Sequence, residues 1–109
     1  MSFDVITTRP FERKLKPLAK KYPSIIEDLN ALEEVLSQNP TTGDPLGKNC
    51  YKVRMAITSK GQGKSGGARI ITYIRVLQNI VYLMDIYDKS EQETISDREM
   101  QLAINKLAE

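Results

Sequence analysis

Histidine and tryptophan are absent from this sequence, and cysteine occurs once. Without histidine, a conventional zinc site is not expected, and acid–base chemistry must use Lys, Arg, Tyr, Asp or Glu. The single cysteine, Cys50, excludes an internal disulfide, fits a reducing compartment and is expected to be a small buried thiol. We therefore predict that the protein has no metal site and no cofactor.

The sequence also lacks long apolar runs. No segment approaches the roughly 20 apolar residues that span a membrane, and the start, MSFDVITTRPF, does not resemble a signal peptide. With 109 residues, 40% hydrophobic and 28% charged, residues 1–109 are expected to form one globular domain. These features predict a cytoplasmic protein without a membrane partner.

Carboxylates are missing from the middle of the chain, residues 45–84. The basic residues of this interval are Lys48, Lys52, Arg54, Lys60, Lys64, Arg69 and Arg75. By contrast, residues 85–109 carry three basic and seven acidic residues, a net charge of −4. A like-charged patch repels itself unless a polyanion or an acidic partner offsets it. The interval therefore indicates such a partner, the alternative being a solvated basic face that arose by chance.

The first forty residues predict a strand and a helical hairpin. Residues 3–7 fit a strand, and apolar residues at helical spacing then define two helices, the first capped by Thr8 and the second opened by a Ser24–Glu27 capping box. Pro17 should kink or split the first helix, because it lacks a backbone donor. The apolar positions expected in the core are Phe11, Leu15, Leu18, Tyr22, Ile25, Leu29, Leu32 and Leu36.

The remainder predicts three antiparallel strands and a final helix. TTGDPLGKN, residues 41–49, reads as a loop. The next strand alternates so that Lys52 and Arg54 leave the same face. A second strand starts at Arg69, and IVYLMDIYD forms the third. Its register is open by one residue, which leaves open whether Tyr87 and Lys89 share the face of Arg69. A Ser96–Glu99 capping box opens a helix whose apolar side is Met100, Ile104 and Leu107. The fold class is α+β, a small antiparallel sheet with an N-terminal helical hairpin and a C-terminal helix.

The segment SKGQGKSGGAR, residues 59–69, is rich in glycine and basic residues. It matches G-x-G-x-x-G, but a P-loop or dinucleotide loop must open a helix, and this segment precedes a strand. We therefore predict a long hairpin connection, hereafter the glycine loop, whose amides, Lys60 and Lys64 could meet a phosphate. The alternative is a disordered, solubilising hairpin tip.

These elements resemble the RelE/ParE superfamily of bacterial type II toxin–antitoxin toxins, and within it the RelE/HigB branch. The resemblance covers nearly the whole chain and rests on CYKVRM at 50–55, SGGARIITY at 65–73 and IYDKSEQETIS at 86–96. It implies a RelE-like fold, a cognate antitoxin, and a ribosome-dependent endoribonuclease that cleaves mRNA by attack of the RNA's own 2′-hydroxyl, without a metal.

The resemblance also implies site residues. Lys52 and Arg54 match the paired basic strand positions, Arg69 the strand-entry arginine and Lys89 the basic residue after the last strand. RelE places a tyrosine soon after the last strand, whereas residues 93–96 here contain none. The hydroxyl candidates are then Tyr73 and Tyr87, or a lysine could serve as the base if neighbouring charge lowered its pKa. The expected catalytic residues are Lys52, Arg54, Arg69, Lys89 and Tyr87, and the expected RNA-binding residues are Lys48, Lys60, Lys64, Arg75 and Tyr73.

Two other functions fit the same fold. One is a ParE-like gyrase inhibitor, although the ParE branch generally lacks this basic set. The other is a non-catalytic RNA-binding module, although two phenylalanines and no tryptophan offer little surface for base stacking.

Overall fold

The computed structural model describes residues 2–91 and 96–107, which form three helices and five strands. The elements in chain order are β1 (Asp4–Thr7), α1 (Arg9–Lys21), α2 (Ile25–Gln38), β2 (Asp44–Gly47), β3 (Cys50–Met55), β4 (Ala68–Arg75), β5 (Ile80–Asp88) and α3 (Asp97–Leu107). The strands make one sheet in the order β1-β5-β4-β3-β2. The predicted α+β class and the predicted order of the main elements are confirmed.

The sheet is mixed, which corrects the prediction of a purely antiparallel one. β3, β4 and β5 are antiparallel neighbours, but β1 runs parallel to β5, with Thr7 opposite Leu83. The parallel pairing is possible because the helical hairpin α1–α2 and the strands after it lie between β1 and β5 in sequence, long enough for a crossover connection.

The segment predicted as a loop at residues 41–49 contains a strand, so that prediction is wrong. β2 pairs with β3, with Asp44 opposite Lys52 and a register shift between Pro45 and Gly47. Proline is tolerated here because β2 is the outermost strand. Lys48 and Asn49 take positive φ values of 55° and 62°, which close the tight turn into β3.

The helical hairpin forms with one departure from expectation. α1 continues through Pro17 without splitting, and Phe11 and Leu18 are buried on either side of the proline. Thr8 caps this helix as predicted, by accepting a hydrogen bond from Phe11 N. Ser24 makes no side-chain cap to α2, so the capping box predicted there is wrong; its hydroxyl instead accepts from the backbone N–H of Ser59, in the glycine loop.

Hydrophobic layers cover both faces of the sheet. α1 and α2 pack on one face, where the predicted stripe of Ile25, Leu29, Leu32 and Leu36 is buried against β3, β4 and β5. α3 packs on the other face through Met100. The capping box that opens α3 is confirmed, because Ser96 Oγ accepts from Glu99 N at 3.1 Å and the Glu99 carboxylate accepts from Ser96 N at 3.4 Å.

Candidate active site

Three of the predicted site residues form a row across the sheet. Arg54 on β3 lies opposite Arg69 on β4, and Arg69 lies opposite Tyr87 on β5. This register answers the question that the sequence left open, because Tyr87 shares the face of Arg69. Lys52 precedes Arg54 by two residues, so both leave the same face, the one that carries α3. Lys89 follows Tyr87 by two residues and is exposed.

Positive charge in this row is not neutralised by ion pairs. In the part of the chain that the structure describes, Arg54, Arg69 and Lys89 have no carboxylate within ion-pair distance. The two acidic residues of β5 are engaged elsewhere, since Asp85 binds Lys14 at 2.7 Å and Asp88 binds Lys60 at 2.7 Å. Two arginines directly opposite one another on antiparallel strands repel. The row is therefore suited to receive an anion.

Arg69 is buried, with 5% of its surface exposed, and its guanidinium is tied to the glycine loop. Nη1 donates to the carbonyls of Lys64 at 2.8 Å and Ala68 at 3.1 Å, and Nη2 donates to the carbonyl of Ser65 at 3.3 Å. Three of the five guanidinium N–H groups are thus used. Arg69 brings a fixed positive charge to the row and also shapes the loop, a second role that the sequence did not reveal.

The glycine loop joins β3 to β4, as predicted, but it is not a disordered tip. Thr58 N donates to the carboxylate of Asp28 on α2 at 2.9 Å, and Ser59 N donates to Ser24 Oγ at 2.8 Å. Burial alone would raise the pKa of Asp28, but hydrogen bonds from Thr58 and Ser24 hold that pKa below its usual value. The start of the loop is therefore fixed to α2.

Lys60 is paired inside the protein, although the sequence suggested that it could meet a phosphate. Its Nζ lies 2.7 Å from Asp88 Oδ1, and the two side chains are 13% and 0% exposed. Asp88 also accepts from Tyr22 Oη at 2.6 Å and from Ser90 N at 3.0 Å. Burial opposes ionisation of Asp88, but these hydrogen bonds, led by that of Lys60, hold its pKa well below the usual range. Lys60 is thus occupied inside the protein and is withdrawn from the expected RNA contacts.

Lys64 differs from Lys60, because it is exposed and lies beside the row. Lys64 and Arg54 line the same cavity, about 280 Å³ in volume, whose opposite wall comes from α2 residues such as Ala31 and Val35. Gly67, which ends the loop, must be glycine, since a Cβ there would collide with the carbonyl oxygen of Met55 on β3. The loop therefore returns tightly against β3, and Lys64 lines this cavity together with Arg54.

The other expected RNA-binding residues lie at the opposite end of β4. Tyr73 stacks on Tyr82 with ring centroids 6.3 Å apart, and the Arg75 guanidinium lies 5.3 Å from the Tyr82 ring. Tyr73 is four residues from Arg69, or about 13 Å along a strand. Lys48 sits at the β2–β3 turn at that same far end. Of the two hydroxyl candidates, Tyr87 is therefore the one that the fold brings to the arginines, although only 5% of it is exposed.

Cys50, the acidic residues and the helix lengths are the remaining features of the described ranges, 2–91 and 96–107. Cys50 is buried as predicted, and burial raises the pKa of its thiol to about 11. Within these ranges no cluster of three or more acidic or cysteine residues could hold a metal ion. No helix in them is both long and apolar enough to cross a membrane.

Sequence reasoning missed the residues that hold the site in place, namely Ser24, Asp28, Tyr22 and Asp88. One signal was available, because Asp85 and Asp88 interrupt an otherwise apolar strand, and buried carboxylates are rarely unpaired. Their partners are distant in sequence, so no local pattern identifies them.

Comparison with known proteins agrees with this fold. The family model described as RelE toxin of the RelE/RelB toxin–antitoxin system matches residues 5–109. The chain is also similar to a solved structure of a mutant E. coli toxin RelE in the free state. The TM-score is 0.61 and the sequence identity 16%, over 98% of this chain and 99% of that one. The chain belongs to the RelE toxin family.

Proposed function

We propose that this member of the RelE toxin family is a ribosome-dependent endoribonuclease that acts in the cytoplasm and is neutralised by a cognate antitoxin. The observation that carries the proposal is the row of Arg54, Arg69 and Tyr87, in which two uncompensated arginines stand side by side. Repulsion between the two arginines destabilises the free protein, and a phosphate that binds between or above them offsets this repulsion.

The proposed reaction needs no group outside the protein and the RNA. The 2′-oxygen attacks the neighbouring phosphorus, the bond from phosphorus to the 5′-oxygen breaks, and the products are a 2′,3′-cyclic phosphate and a free 5′-hydroxyl. A base must take the proton of the 2′-hydroxyl, and the leaving oxygen must gain one. Positive charge must also meet the extra negative charge that develops on the phosphorane.

The residues divide these tasks by position. Arg54 is exposed and can offer paired donors to the phosphate, while the buried Arg69 supplies a fixed positive charge beside it. Lys52, on the same face, is the proposed proton acceptor, and Tyr87 and Lys89 stand at the β5 side, where the leaving group would be protonated. Lys64 is proposed to bind ribosomal RNA rather than the scissile phosphate, because it lies on the exposed part of the loop.

The test is single-turnover cleavage of an mRNA on programmed ribosomes with the toxin at saturation. Lys52→Met and Arg54→Met should each lower the rate by roughly 100-fold, the scale of one preorganised charge-stabilising or proton-transfer group, while ribosome binding persists. Lys16→Met, an exposed lysine on α1, is the matched control and should cleave normally. Wild-type cleavage rates in both site variants would refute the proposed site.

The alternatives have their own signatures in the same cells. Expression of the chain without an antitoxin should stop protein synthesis first, as followed by pulse labels. Early arrest of DNA synthesis with intact messages would identify a ParE-like gyrase inhibitor instead. Ribosome binding without cleavage by the wild type would identify a non-catalytic RNA-binding module.

A further inference from the structure

The buried ion pair of Lys60 and Asp88 joins the glycine loop to the end of β5 and to α1. Asp88 is completely enclosed, and Lys60 and Ser90 both donate to its Oδ1, at 2.7 and 3.0 Å. Tyr22 from the end of α1 donates to Oδ2, and the Lys60 ammonium also lies 5.6 Å from the centre of the Tyr22 ring. Each oxygen of the carboxylate therefore has a donor, so the pair has the geometry that a buried charge requires.

The Lys60–Asp88 pair and the contacts of Arg69 with the loop lie on opposite faces of the sheet. Asp88 alternates with Tyr87 and so points to the side of α1 and α2, where Tyr22 meets it. Arg69, which holds the carbonyls of Lys64 and Ser65, projects on the α3 side. The loop thus wraps around the end of the sheet and is held on both faces, by Ser59 and Lys60 on the side of α1 and α2 and by Arg69 on the α3 side.

Composition alone would leave this loop mobile, because residues 61, 63, 66 and 67 are glycines and ordering them costs backbone entropy. A nearby exposed pair, Lys21 with Glu91, shows the contrast: its side chains are 56% and 57% exposed, so water screens it. The enclosed Lys60–Asp88 pair therefore acts together with the hydrogen bond from Ser59 N to Ser24 Oγ in holding the first half of the loop.

We infer that Lys60 and Asp88 form a latch that fixes the glycine loop so that Lys64 is held beside Arg54. The two residues are then positioning residues for RNA binding and do not touch the RNA. The role of the latch in RNA binding rests on the proposed function. Its effect on the order of the loop does not, since that order can be measured without any RNA.

The first measurement is hydrogen exchange at the Gly61 and Gly67 amides, which bond to Thr58 O and Lys64 O. Lys60→Met/Asp88→Asn removes both charges together and avoids leaving one buried alone. In this double variant both amides should exchange at least about tenfold faster, as expected for local opening, while strand amides stay protected. Lys60→Arg should keep much of the protection, and Lys21→Met should keep all of it. Unchanged loop exchange in a folded double variant would overturn the latch.

The second measurement asks whether the latch acts through Lys64. In the wild-type background Lys64→Ala should weaken ribosome binding by about fivefold, the upper range for an exposed charge contact. In the Lys60→Met/Asp88→Asn background the same substitution should change binding by less than about twofold, since Lys64 is no longer held in place. Equal effects in both backgrounds would overturn the positioning role. Failure of the wild type to bind ribosomes would refute the proposed function, and the exchange experiment would still decide the latch.

Discussion

Replacing Arg54 with methionine should make the free protein more stable while removing most of its activity. Arg54 and Arg69 are directly opposite on β3 and β4, and neither has a carboxylate partner among the described residues. Their repulsion is present in the folded state and relaxed in the unfolded chain. Methionine keeps the apolar stem of the side chain and removes the charge, so the change isolates the electrostatic part.

The size of the gain follows from Coulomb's law. Two unit charges about 6 Å apart repel by about 0.7 kcal/mol at the dielectric constant of water and about 2.8 kcal/mol at an effective value of 20. Arg54 is exposed, so we expect the lower figure, a rise of about 0.7 kcal/mol in the free energy of unfolding at low salt. For a domain of this size that corresponds to about 3–5 °C in Tm.

The assay is urea denaturation at 20 mM and at 1 M salt. The gain should be clear at low salt and should shrink at high salt, where the screening length falls to about 3 Å. Lys48→Met is the control, because it makes the same change in net charge at an exposed turn away from the row. A loss of stability in Arg54→Met, or an equal gain in Lys48→Met, would refute the idea that the row is strained by its own charge.

Three further predictions concern the scaffold. Gly67→Ala should destabilise the fold by about 3 kcal/mol or more, as severe overpacking does. The nearest atoms to a Cβ at Gly66 belong to the Gln62 side chain rather than to backbone, so Gly66→Ala should cost less in the same denaturation series. Burial raises the Cys50 pKa from 9.0 to about 11, so the unfolded chain loses the thiol proton first as the pH rises. Folding stability should therefore be full below pH 9 and decline between about pH 9 and 11. In Cys50→Ala this decline should be absent. Ser96→Ala should cost about 1 kcal/mol through loss of the α3 cap, measured by thermal unfolding.

Local sequence patterns were enough to predict the elements that are long or periodic. The stripe of α2, the alternation of Lys52 and Arg54 with Val53 and Met55, and the cap at Ser96 all depend on neighbours within four residues, and all are present in the fold. β2 escaped prediction because a four-residue edge strand that contains proline has little signal of its own and exists through pairing with β3.

The attachments of the site could not be predicted for a different reason. Lys60 and Asp88 are 28 positions apart, so their pairing is a product of the tertiary fold. The same holds for the use of the Ser24 hydroxyl by Ser59, which displaced the expected capping box of α2. The sequence predicted only one role of Arg69, which is to bring positive charge to the site. It did not predict the hydrogen bonds from Arg69 to the loop carbonyls.

The attachments of the glycine loop through Lys60 and Arg69 also determine where the chain can change in length during evolution. Residues 61–63 lie between the Lys60 contact and the carbonyls held by Arg69, and their side chains or backbones are exposed. Added residues there would leave both attachments in place, and lengthening a loop costs little entropy. A deletion on either side would instead draw Lys60 from Asp88 or Lys64 from Arg69. We therefore expect homologues to vary in length at this tip, so that the reach of the loop can diverge while the face of the sheet that carries Arg54 and Arg69 stays unchanged.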